Sequence, residues 1–66
     1  MVASVSGPMN WSNGVGTLKD ASSGQTYTLT DSEGLKNLWD SGVKNVSVTG
    51  RIGANNTLTV ENVSAP

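Results

Sequence analysis

The chain has 66 residues, enough for a single domain, and a formal net charge of −1 from four basic and five acidic groups. It contains no Cys and no His. That excludes a disulfide framework, Cys/His zinc sites, haem ligated by His or Cys, and any nucleophile–histidine triad. No apolar run nears the roughly 18 residues of a membrane span, and the near-balanced charge gives no electrostatic footprint for a nucleic acid.

Nearly half of the chain is Ser, Thr, Asn and Gly, and only 35% is apolar. Such a composition leans towards disorder, but the Val and Leu residues recur with clear periodicity and Thr gathers in the same segments, which argues for a folded chain. A domain this small buries only about 60% of its unfolded surface, so it needs an economical core or self-association.

Residues 1–8 read as a lead-in. Val2 and Val5 fit a short strand, while Ser4, Ser6, Gly7 and Pro8 suggest flexible chain. The N-terminus has neither the basic nor the apolar stretch of a signal peptide. Val15–Lys19 is strand-like, with Gly16 and Leu18 on one face and Val15, Thr17 and Lys19 on the other. Asp20-Ala21-Ser22-Ser23-Gly24 has hairpin chemistry: Asp can accept from its own backbone, and Gly supplies a positive φ. Residues 25–30 then alternate strictly, Tyr27 and Leu29 against three Thr.

Thr30-Asp31-Ser32-Glu33 has capping-box spacing. After it, Leu35, Leu38 and Trp39 fall on one face of a helix of about ten residues over 32–41, closed by Gly42. Gly34 in its first turn costs roughly 1 kcal/mol against Ala, so the helix must be held by packing. Residues 43–52 form the next strand, with Val46, Val48, Gly50 and Ile52 inward; Gly50 suggests a bend or bulge. Gly53-Ala54-Asn55-Asn56 is a turn. In 57–61, Leu58 and Val60 point inward, and Val63 breaks their parity, through a bulge near Asn62 or because the strand ends. Residues 64–66 read as a flexible tail.

The expected fold is mainly β, a single domain over 1–66. It is a small curled antiparallel sheet or an OB-like barrel of four or five strands, with one short helix between the second and third clear strands. Leu18, Leu29, Val46, Val48, Leu58 and Val60 fill its interior, and Leu35, Leu38 and Trp39 seal one mouth. Curling removes exposed strand edges. Without an N-terminal strand, an open four-stranded α+β sandwich is the alternative.

The pattern Tyr27-x-Leu29, then Leu35 and Leu38, then Val46-Ser47-Val48-Thr49-Gly50, then Leu58-Thr59-Val60 resembles small OB-fold-like bacterial domains of unknown function, over residues 15–63. The resemblance implies a barrel with its helix between the third and fourth strands and an envelope-associated setting. The cysteine positions common in that family have no counterpart here.

Four residues are candidates for ligand binding. Trp11, among polar and turn-forming neighbours, is either a stacking platform for a sugar ring or base or a core residue of a first strand. Tyr27 places its ring in the core, with its hydroxyl free to reach the rim. Lys19 and Arg51 can share one outer sheet surface, but four scattered basic residues, Lys36 and Lys44 being the others, make a poor phosphate funnel. Trp39 reads as core. Asp20, Asp31 and Glu33 have turn and helix roles, so with Asp40 and Glu61 they offer no catalytic pair. No Asp-rich loop suits Ca²⁺, and no Ser-x-x-Lys spacing activates a nucleophile. Asn10, Asn45, Asn55 and Asn62 head Asn-x-Ser/Thr sequons. A Thr-rich outer face (Thr26, Thr28, Thr30, Thr57, Thr59, with Ser47 and Thr49) suits either a polysaccharide or ice-like surface or simply solvent.

The expected function is that of a small non-catalytic binding or interaction module, without cofactor or metal, whose partner is a protein or glycan. A structural or designed self-associating scaffold is the alternative, and a single-stranded nucleic-acid-binding OB domain the third reading. The absence of cysteine with heavy Ser/Thr/Asn/Gly use is compatible with a bacterial exported or periplasmic protein.

Overall fold

The computed structural model describes residues 2–64. Five strands and one helix follow in the order β1 (Val2–Ser12), β2 (Val15–Lys19), β3 (Thr26–Thr30), α1 (Glu33–Asp40), β4 (Asn45–Gly53) and β5 (Thr57–Ser64). The strands close into a barrel in the order β1-β2-β3-β5-β4. The protein is thus mainly β, a five-stranded mixed sheet closed in a ring, with its helix between β3 and β4. One pair departs from the antiparallel expectation: β3 runs parallel to β5, matching Thr28, Leu29 and Thr30 to Thr57, Leu58 and Thr59.

Residues 2–8 are part of the eleven-residue β1, where a flexible lead-in was expected. Val2 to Pro8 pair with β4 from Arg51 to Asn45, and Met9 to Ser12 pair with β2. One strand therefore serves two neighbours and turns the barrel's corner at Gly7–Pro8. A Cβ on Gly7 would overlap the Lys19 carbonyl oxygen, so only glycine lets β2 approach there. Pro8, which cannot donate to a ladder, stands where pairing passes from β4 to β2. At the other end, Ser64 pairs with Ser47 as the last residue of β5; Met1, Ala65 and Pro66 lie outside the described residues.

The core is Val5, Met9, Leu18, Leu29, Leu35, Val46, Val48 and Leu58, with Leu18, Leu35 and Leu58 fully covered. Val60, expected inside, stops at half-burial. It faces Gly50, which has no side chain to cover it. Beside this pair β5 bulges: Thr49 pairs with Asn62 and Gly50 with Val60, leaving Glu61 over. That extra residue restores Val63 to the core side, where it packs against the buried cluster.

Local chemistry fixes the connections. In the β2–β3 loop, Asp20 Oδ1 accepts from the Ser22 backbone N–H at 3.0 Å and from its hydroxyl at 2.8 Å, and Gly24 sits at φ 78°. These bonds, the Ser22 backbone N–H first, hold the Asp20 carboxyl below its ordinary 3.8. The capping box does not form. Thr30 ends β3 and its hydroxyl donates to Thr59 at 3.1 Å, while Ser32 takes the N-cap position without a side-chain bond. The helix closes as expected around Gly42, at φ 94°. Gly42 N–H donates to the Trp39 carbonyl at 3.0 Å and Val43 N–H to the Leu38 carbonyl at 2.9 Å, a Schellman pattern. Leu35 plugs the barrel, and Leu38 and Trp39 pack against the core half-buried.

Candidate functional site

The β1–β2 connection is two residues long, Asn13 at φ 53° and Gly14 at φ 78°. Positive φ at both positions makes it a type I′ turn, whose twist matches the strands it joins. The turn sets the register that places Trp11 opposite Gly16. A Cβ on Gly16 would come within 2.6 Å of the Trp11 ring, so the indole lies over a position where only glycine fits, substituting its own surface for the missing side chain.

Trp11 is half-buried and forms one wall of an open cleft of about 350 Å³, lined also by Gly14, Asp31, Ser32, Glu33 and Lys36. The β1–β2 turn supplies one side. The residues joining β3 to α1, with the first helical turn, supply the other. Asp31 at φ 53° bends the chain between strand and helix. The wall facing the indole is polar, with two carboxylates, a hydroxyl and an ammonium. Lys36 is shared, since its Nζ lies 3.3 Å from Asp40 Oδ2. The indole Nε1 is buried and has no hydrogen-bond partner among the described residues, so the ring meets the cleft through carbon.

The other candidates do not join Trp11 there. Tyr27 pairs with Leu18 and packs half-buried against the core. Lys19 lies beside Gly7, whereas Arg51 pairs with Val2 near the start of β1; the expected shared basic surface is therefore not assembled. Arg51 Nε also bonds Glu61 Oε2 at 3.0 Å, and Lys44 Nζ sits 4.2 Å from the centre of the Trp39 ring. Three of the four cations thus have intramolecular partners. Among the described residues no group of acidic side chains converges in a way that could hold a metal ion, and no helix is long and apolar enough to cross a membrane.

The Thr face exists as a register. Thr17, Thr28 and Thr57 stand in one row across β2, β3 and β5, with Thr30 and Thr59 in the next. The cleft residues Ser32 and Lys36 carry no sequence signal of their own; the antiparallel pairing of β2 with β3, Thr17 opposite Thr28, sets the start of β2 beside the end of β3 and so brings the β1–β2 turn next to the β3–α1 junction. No family model matches the chain, and no curated protein or solved structure matches it.

Proposed function

We propose that the chain is a small non-catalytic binding module that holds a glycan in the Trp11 cleft. The position of Trp11 carries the proposal: an apolar ring walls an open cleft whose opposite side presents Asp31, Ser32, Glu33 and Lys36. A sugar combines an apolar C–H face with a rim of hydroxyls, and an aromatic wall beside acceptors and donors complements both. The volume suits one or two sugar units, at the lower end of the roughly 300–1,000 Å³ typical of ligand sites. Two carboxylates beside one shared cation disfavour anionic ligands, which sets single-stranded nucleic acid behind a glycan.

A carbohydrate array tests this with the wild type, Asp31→Asn and Trp11→Phe. Asn tolerates the positive φ of Asp31, so that variant isolates the carboxylate. The expected result is retention of the wild type on a subset of sugars, weakened in both variants. No retention of the wild type, or undiminished retention in both variants, overturns the proposal.

One observation favours a second reading, a ligand-free structural scaffold. Trp11 already has a packing role over Gly16, with its nitrogen turned inward. In that case Trp11→Phe lowers stability and no sugar alters the tryptophan fluorescence of the wild type.

A further inference from the structure

We propose that Asn13 is a site of spontaneous covalent modification that remodels the β1–β2 turn, an inference independent of what the cleft binds. The backbone nitrogen of Gly14 attacks Cγ of the Asn13 side chain. A C–N bond forms, the side-chain amide leaves as ammonia, and a five-membered succinimide results. Water then opens one of its two carbonyls, giving aspartate or isoaspartate. Asn and water become a carboxyl group and ammonia, with no oxidant or reductant.

Three observations single out this position. Asn13 is the one Asn of the chain followed by Gly; the residues after the other six are Trp11, Leu38, Val46, Asn56, Thr57 and Val63. Without a side chain, Gly14 presents its nitrogen unhindered. Both residues are exposed, and a Cβ on Gly14 would meet nothing within 4 Å, so water and base reach the reacting atoms. The turn is at the tip of a hairpin, the kind of segment that opens at least free-energy cost, and ring closure needs only that opening.

The fold makes the consequence specific. A type I′ connection has room for two residues, and isoaspartate adds one carbon to the main chain. The pairs fixed by the turn, Ser12 with Val15 and Trp11 with Gly16, lose their register first. Trp11 leaves its seat on Gly16, and the turn gains a negative charge beside Asp31 and Glu33.

Prolonged incubation of the purified protein at mildly alkaline pH tests this, followed by peptide mass mapping, an isoaspartyl methyl-transfer assay and tryptophan fluorescence. The comparison is Asn13→Gly, which keeps a turn of two positive-φ residues and lacks the reactive amide. The expected result is a mass gain confined to the Asn13 peptide, isoaspartate within it, and a time-dependent fluorescence shift, all three absent in Asn13→Gly. An unmodified Asn13 peptide, faster modification at another Asn, or the same fluorescence drift in Asn13→Gly overturns the proposal.

Discussion

Gly50 shows how narrowly a single position can be specified. A Cβ there would overlap the Thr59 carbonyl oxygen and meet Leu58 Cδ1 at 3.3 Å. The first is backbone and cannot swing away. Gly50→Ala is therefore expected to cost about 3 kcal/mol, read as a lowered denaturation midpoint. The fully covered Leu18 and Leu58 set the opposite limit. Leu58→Ala leaves a cavity and is expected to cost about 3 kcal/mol in the same assay. Asp20 is tuned rather than packed. Its carboxyl is held below 3.8 by bonds from Ser22, so the charged form is favoured in the fold. The resulting stabilisation is present above that value and lost as pH falls through the depressed folded-state value. An NMR titration should place the Asp20 midpoint below 3.8, and Ser22→Ala should move it up.

The helix has eight residues, too short to persist alone in water, and Leu35 is its one buried residue. Leu35→Ala is expected to cost about 3 kcal/mol and to lower the helical circular dichroism signal before the sheet melts. The helix, β2, β3 and β4 were legible because each keeps one periodicity: Leu35, Leu38 and Trp39 at helical spacing, Tyr27 and Leu29 or Val46 and Val48 at alternate positions. The first half of β1 was not. Its inward positions are Ala3, Val5, Gly7, Met9 and Trp11, so the alternation is diluted by small residues, and Gly7–Pro8 looks like a breaker when it is a corner between two partners. Asn13-Gly14 is a strong short-range hairpin signal and requires a strand ending at Ser12. The capping box failed for a related reason, since Thr30 is claimed by Thr59 across the sheet. The cleft lay beyond sequence reading, because Trp11 meets Asp31 and Glu33 only through two successive pairings, β1 with β2 and β2 with β3, and the first of these strands was not legible.

Closure also bears on association. Each strand has two neighbours in the barrel order, so the edges that self-association was expected to cover are largely paired within the chain. The melting temperature should therefore not change with protein concentration, as scanning calorimetry at two widely separated concentrations would show. The closure is uneven, however. β1 and β4 share seven paired positions, whereas β3 and β5 share three, and that seam joins strands separated in the chain by α1 and β4. β2 and β3 also share three, but a short loop ties those strands directly in the chain, so the β3–β5 seam has the least to hold it shut. Under native conditions the molecule should breathe there, by transient parting of staves and not by fraying at the termini. Deuterium would then enter the amides of Thr28–Thr30 and Thr57–Thr59 sooner than those of the long β1–β4 ladder.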